Sequence, residues 1–349
     1  MAEYCPYCMR PAAGTVCPHC KKETAYAVPS YSLPAWTPLM GADSVRTYLT
    51  GAVLGQGGFG ITYIAREKNH DRRLAVKEYF PIQCAERLGG SPTVSAKNGM
   101  ESVYQNGLKS FLLEAKMLAS QDDLPCVVRV VDYFPANNTA YLVMEYLDGV
   151  TLKQKVMGGG AIPAGELLPK LPSLLGDLKK LHDANIIHRD ISPDNLMWMP
   201  DGSLKLLDFG CARSMEDGKS MTVMLKHGFA PVEQYQSRGP GPWTDVYALC
   251  ATIYYCLTGR VPPNAVERLE DDQIQPPIAL GVQLTPEQET ALMWGLTIQP
   301  KARPANMGVL ARRLFPVPPA PEDQPLPAPP EASPLRRFLD RIRKLFGRR

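Results

Sequence analysis

Residues 47–67 read TYLTGAVLGQGGFGITYIARE, and the segment after the glycines decides the fold. Gly55, Gly57 and Gly60 mark a turn whose backbone can approach phosphates closely, because no Cβ stands in the way. In dinucleotide-binding folds a turn of this kind leads from a strand into a helix. Here ITYIARE continues as a strand, so the turn joins two strands and the dinucleotide reading falls away. RLAVKEYF (73–80) adds a third strand, SFLLEAKMLAS (110–120) has helical spacing, and VVRVVDYF (127–134) and TAYLVMEYL (139–147) add two more strands. Farther along, Leu167, Leu171, Leu174, Leu178 and Leu181 share one helical face. A mostly antiparallel sheet with one helix thus precedes a mostly helical region. The pattern predicts an α+β fold with two lobes, a small lobe over 48–144 and a large lobe over 148–315.

The chain has 349 residues, 45% of them hydrophobic, which is enough for one large domain with accessory segments. Its formal charge of +3 is uneven, because seven Arg/Lys against one Asp lie between Arg336 and the end. The remainder is slightly acidic, which argues against a nucleic-acid-binding core. Met1 leads into a cysteine-rich polar stretch without the apolar run of a signal peptide. The longest nearly apolar run, Val246–Leu257, is too short to span a bilayer and reads as a buried helix. Cysteines outside the N-terminus are scattered, the usage of a reduced, cytoplasmic protein. Around the large zone, 1–22 carries the cysteine pairs and 23–47 reads as a linker. Residues 316–334 form a Pro-rich spacer and 335–349 a basic amphipathic helix.

Within the large zone, Lys77 ends the strand-like AVK and needs an anionic partner if it faces a core. Glu114 on the following helix offers one. HRDISPDN (188–195) and LLDFGCAR (206–213) then supply Asp190, Asn195 and Asp208, two carboxylates and an amide oxygen. Hard oxygen ligands of this kind suit Mg²⁺ bridging nucleotide phosphates.

With these motifs in order, residues 48–315 resemble the eukaryotic-like serine/threonine protein kinases of bacteria. Gly-rich turn, Ala-Val-Lys, His-Arg-Asp, Asp-Phe-Gly and Ala-Pro-Val-Glu (230–233) all occur in sequence. The resemblance implies that Lys77 holds the α- and β-phosphates of ATP and pairs with Glu114. It implies that Asp190 orients the substrate hydroxyl and accepts its proton, while Asn195 and Asp208 bind Mg²⁺. Glu233 would pair with Arg303, and Asp245 would steady the catalytic loop. Met144 fits the gatekeeper position and Glu145 to Leu147 the hinge, with Ala75 and Met197 on the two faces of adenine. Thr62 stands where most relatives place valine. Residues 78–110 read as an insertion before the helix. The rival expectation is a pseudokinase scaffold that binds nucleotide or partners without phosphoryl transfer. A small-molecule kinase on a related fold is disfavoured by Ala-Pro-Val-Glu and the activation segment.

One departure bears on the chemistry. The family's catalytic-loop lysine position is Ser192, whereas Lys226 of MLKHGFAPVEQY stands where the family commonly has threonine. The two positions would be spatial neighbours. The expectation is a reciprocal exchange, in which Lys226 supplies the cation and Ser192 the hydroxyl; the alternative is a solvated lysine and a harmless serine. Ser-Pro-Asp after Ile191 favours serine/threonine substrates in proteins. Arg189 before the aspartate points to regulation by phosphate on Ser214, Ser220 or Thr222.

At the N-terminus, Cys5-x2-Cys8 and Cys17-x2-Cys20 form two knuckles, the pattern of a closed four-thiolate Zn²⁺ ribbon. A redox reading would need a larger fold around the pair. The ribbon lacks a phosphate-binding patch, so protein docking or autoregulation is expected rather than nucleic acid. At the other end, Leu335, Phe338, Leu339, Ile342, Leu345 and Phe346 form an apolar stripe flanked by arginines. Such a helix can lie on an anionic membrane surface, here the inner one, or in a protein groove, or pack back on the large zone.

Overall fold

The structure, a computed structural model, describes residues 4–316 apart from 69, 71, 89–90, 122, 209–212, 215–224 and 236–238. The expected basic helix at 335–349, Ser220, Thr222 and nearly all of the Pro-rich spacer lie outside the described residues; Ser214 is described in its backbone alone.

The small lobe is one antiparallel sheet, in the order β1-β2-β3-β4-β8-β7. Its strands are β1 (Pro38–Met40), β2 (Thr47–Gln56), β3 (Gly60–Glu67), β4 (Arg72–Tyr79), β7 (Val130–Ala136) and β8 (Thr139–Glu145). Between β4 and β7 lie a short hairpin, β5 (Ala85–Glu86) with β6 (Ser95–Ala96), and the helix α1 (Glu101–Ala119). The glycine turn joins β2 to β3 as the sequence predicts. A Cβ on Gly60 would collide with the Glu78 carbonyl of β4, so packing itself demands glycine there.

Two expectations change. The helix expected from residue 110 begins at Glu101, so the last part of the supposed insertion, 101–110, is helix. Its buried positions, Tyr104, Gly107, Phe111, Ala115 and Leu118, recur every three or four residues, but polar neighbours and Gly107 dilute the stripe. Residues 23–47, read as a linker, are packed structure. β1 pairs with β2, Leu33 and Leu39 are buried in the core, and the Leu33 amide donates to Tyr63 Oη at 3.0 Å.

The large lobe follows through β9 (Val150–Thr151), α2 (Leu152–Gly159), α3 (Ala164–Leu167) and α4 (Leu171–Asp183). The segments that carry His188–Asn195 and Asp208 then run through β10 (Ile186–Ile187), β11 (Leu196–Trp198), β12 (Leu204–Leu206) and β13 (Arg213–Ser214). α5 (Val232–Tyr235), α6 (Pro242–Thr258), α7 (Glu267–Glu270), α8 (Pro286–Gly295) and α9 (Met307–Leu314) complete it. The apolar run 246–257 is the interior of α6, buried throughout. No helix among the described residues is long and apolar enough to cross a membrane.

Candidate active site

Cross-strand pairing puts Thr62 opposite Lys77 and Ile64 opposite Ala75. Side chains alternate along a strand, so these four share one face of the sheet, directly after the glycine turn. Ala75 in turn pairs with Met144, which is buried at the end of β8 and leads into the hinge. Glu145 turns its carboxylate away to Lys205 at 2.6 Å and to the Arg129 amide at 2.9 Å, while Leu147 packs on the core. Met197, on β11, is half-buried and pairs with Thr151 of β9.

Lys77 is buried and bonds Asp208 directly. The expected partner, Glu114, sits half-buried on α1. A Cβ on Gly55 or Gly57 would meet no protein atom, so packing does not require glycine at either position.

The loop carrying Asp190 is held from below by one buried carboxylate. Asp245, in the first turn of α6, accepts from the His188 amide and the Arg189 amide, each at 2.8 Å, and from His182 Nε2 at 2.9 Å. Burial works against its charge, but these donors hold the carboxyl below its ordinary 3.8. His188 donates from Nε2 to the Leu207 carbonyl at 2.9 Å and accepts the Asp190 amide at Nδ1, 3.2 Å. Burial lowers its pKa, so the neutral ring that this pattern requires is also the favoured one.

Asn195 uses its amide N–H₂ on the Asp190 carbonyl and carboxylate, both at 2.8 Å. Its side-chain amide oxygen is therefore the end left for a metal, while the Leu207 amide donates to the backbone carbonyl of Asn195 at 2.8 Å and ties this residue to the neighbour of Asp208. Asn195 and Asp208 offer oxygen atoms of the kind Mg²⁺ takes, and Lys77 a cation of the kind phosphates take.

Lys226 meets this group from the activation segment. Its Nζ donates to Asp190 Oδ2 at 3.1 Å and to Ser192 Oγ at 2.9 Å. Its carbonyl accepts the amides of Phe229 and Ala230, each at 3.0 Å, closing a tight turn. Gly228 permits that turn, with φ of +81° and no room for a Cβ between Val261 and the Pro262 carbonyl. Burial raises the Asp190 carboxyl above its ordinary value, and Lys226 is the main pull back down. Downstream, Glu233 accepts from the two terminal guanidinium nitrogens of Arg303, at 2.8 and 3.0 Å, inside the core. Gln234 donates to the Arg189 carbonyl at 2.8 Å.

The four N-terminal cysteines also converge, with their Sγ atoms all within 4.8 Å of one another. Burial pushes the Cys5 and Cys8 thiols up, Cys8 to about 12, whereas at Cys17 the amides of Cys20 and His19 outweigh burial and bring the thiol to about 6.

Sequence reasoning missed the network behind Lys77. Glu78 is fully buried, bonded to Arg87 of the insertion, to Tyr63 Oη at 2.8 Å and to Tyr141 Oη at 3.0 Å. The available signal was a glutamate directly after Lys77 in a strand whose Leu74, Val76 and Tyr79 are apolar, with an arginine in the stretch that follows.

The family model for the protein kinase domain matches residues 48–311. Serine/threonine-protein kinase B of Synechocystis sp. is 33% identical over 227 residues, 62% of this chain and 37% of that protein. Serine/threonine-protein kinase PknB of Mycolicibacterium smegmatis is 30% identical over 272 residues, covering 73% of this chain and 40% of its own. The chain thus matches well under half the length of these curated relatives. Among solved structures, the apo form of PpkA-294 aligns with a TM-score of 0.69 and 31% identity, over 82% of this chain and all of that one.

Proposed function

The chain belongs to the protein kinase domain family, and on that premise we propose that it transfers the γ-phosphoryl group of ATP to serine or threonine hydroxyls of proteins. The observation that carries this reading is the Asp190–Lys226–Ser192 cluster. A scaffold without catalysis has no use for a lysine delivered from another segment onto the catalytic aspartate. Lys77 engages the α- and β-phosphates, with Glu114 as its other partner. Gly55 and Gly57 let the backbone close over the phosphates, and Thr62, Ala75, Met144, Leu147 and Met197 enclose the adenine. Mg²⁺, held by Asn195 and Asp208, neutralises phosphate oxygens. Asp190 orients the substrate hydroxyl and takes its proton, and Lys226 stabilises charge on the γ-phosphoryl oxygens. A phosphate on Ser214, Ser220 or Thr222 would find Arg189 beside the loop.

Incubation with γ-labelled ATP, Mg²⁺ and a protein substrate tests this, followed by mapping of the label. Phosphoserine or phosphothreonine from the wild type, absent with Asp190→Asn, is expected. Nucleotide binding without transfer by the wild type would favour the scaffold.

The cysteine cluster is read as a structural Zn²⁺ site, supported by four thiols that converge within 4.8 Å of one another. Release of about one zinc per chain on thiol modification is the expected result. The 335–349 segment is read, on its sequence alone, as a peripheral anchor or a ligand for a protein groove. Flotation of the full chain with anionic vesicles at low salt, lost on its deletion, tests the lipid option.

A further inference from the structure

The two cysteine knuckles are copies of one turn. Met9 N–H bonds the Cys5 carbonyl at 2.9 Å and Lys21 N–H the Cys17 carbonyl at 3.0 Å. Met9 and Lys21 then adopt the same left-handed backbone, with φ of 52° and 61°. Their surroundings differ completely. Lys21 is exposed, whereas Met9 is fully buried against Ala52 of β2 and Ile64 of β3, with Leu49, Tyr26 and the hinge residue Tyr146 around it. Ile64 lies on the sheet face that carries Thr62, Ala75 and Lys77, so the first knuckle packs at the edge of the nucleotide side.

Its backbone also enters the sheet. The Pro6 carbonyl accepts the Ala52 amide at 2.7 Å, and Tyr26 Oη accepts the Val53 amide at 3.0 Å. Here β2 shifts register against β3, between Thr50 and Val53 and again before Gly55. The first of these irregularities, on the way into the glycine turn, is thus where N-terminal groups accept the β2 amides of Ala52 and Val53. Gly51 makes the approach possible, because a Cβ there would lie 2.5 Å from the Pro6 carbonyl and 2.8 Å from Met9 Sδ. From β3, Arg66 reaches back to the Met9 carbonyl at 3.0 Å and lies over the Tyr4 ring at 4.3 Å. On the hinge, Asp148 bonds Arg73 at 3.0 Å and has Arg10 of the knuckle at 3.8 Å.

We propose that the first knuckle is a positioning element of the nucleotide site, with Met9 its key residue, and that metal occupancy of the cysteine cluster sets affinity for ATP. The proposal rests on the zinc and nucleotide readings above. Metal fixes the Cys5–Cys8 turn, and the turn places Met9 and the Pro6 carbonyl. These hold the bulged end of β2 and Tyr146, between which the adenine and phosphates are received. The effect falls on nucleotide binding rather than on the phosphoryl-transfer step, because neither knuckle reaches Asp190 or Lys226.

The test uses the full chain, a fluorescent ATP analogue and atomic determination of zinc. Met9→Ala should weaken nucleotide binding about tenfold and raise the ATP KM in parallel, with kcat at saturating ATP held. Met9→Leu should restore binding, and Lys21→Ala, at the equivalent turn, should leave it unchanged. Chelation should reproduce the loss and added zinc reverse it. Zinc bound and removed with unaltered nucleotide affinity would overturn the metal coupling while leaving the zinc site intact. No zinc in the purified chain defeats the zinc reading and the metal coupling, and the Met9 series still decides the positioning role. That role is overturned if Met9→Ala binds nucleotide as wild type does, or if Lys21→Ala weakens binding equally. Because binding is read directly, a chain without phosphoryl transfer would still decide the question.

Discussion

Two ion pairs of this chain join a kinase motif to a departure from the family pattern, and they are built in opposite ways. Glu78, next to Lys77, meets Arg87 of the insertion with side chains 0% and 2% exposed. Asp190 meets Lys226 with side chains 23% and 31% exposed. The closed pair is surrounded by partners from the protein itself, including the hydroxyls of Tyr63 and Tyr141 and the Tyr31 carbonyl that Arg87 also reaches. Its charges are consumed by architecture, tying the insertion and the N-terminal strap to the sheet behind Lys77. The open pair keeps capacity. An ammonium has three donors, and Asp190 and Ser192 take two. A charge meant for a substrate has to remain partly accessible, whereas a charge meant to fasten segments works best when nothing else can reach it.

The largest effect should come from breaking the closed pair. Arg87→Ala strands Glu78 in the core, and urea unfolding should show a loss of about 3–5 kcal/mol; a loss under about 1 kcal/mol would place the pair with surface bridges and undo the contrast. Lys226→Ala should leave the unfolding midpoint nearly unchanged, yet lower kcat about 10²–10³-fold at saturating ATP and substrate. An equal fall in stability would make Lys226 a second fastener.

A smaller effect sharpens the comparison through pH. The Asp190 carboxyl lies above its ordinary 3.8 because burial raises it, with Lys226 opposing. In its proposed role as the base it must be deprotonated, so kcat is expected to fall as pH drops through that raised value. The folded state there binds more protons than the unfolded, so this group's contribution to stability declines as pH rises from 3.8 through the folded value. Lys226→Ala removes the chief downward pull, and the acid limb of its residual kcat should move to higher pH. A limb that stays in place means that Lys226 does not act on Asp190 electrostatically.

The parts of the site legible in the sequence are those where chemistry demands particular residue types at set spacings. Gly55–Gly60, Lys77, Asp190, Asn195 and Asp208 could be picked out because they stand in motifs of fixed order and spacing, and Lys77 meets Asp208 as Asn195 meets Asp190. Ser192 and Lys226 were visible as a matched pair of departures, and their side chains do meet. Residues 23–47 were illegible for a physical reason. Three prolines and no periodicity look like a linker, and the order comes from distant partners such as Thr50, Tyr63 and Val53. The start of α1 was lost to a polar stretch around Gly107, and the role of Arg87 needed the Tyr63–Glu78–Tyr141 arrangement.

The central claim is that the catalytic-loop charge has moved to position 226. It is tested most directly by comparing kcat for the wild type, Lys226→Thr, and the double variant Ser192→Lys/Lys226→Thr, which reverses the exchange. The account predicts a loss of about 10²–10³-fold in the single variant and recovery of at least about tenfold of it in the double variant. A single variant with near wild-type kcat, or a double variant no better than the single, would contradict it.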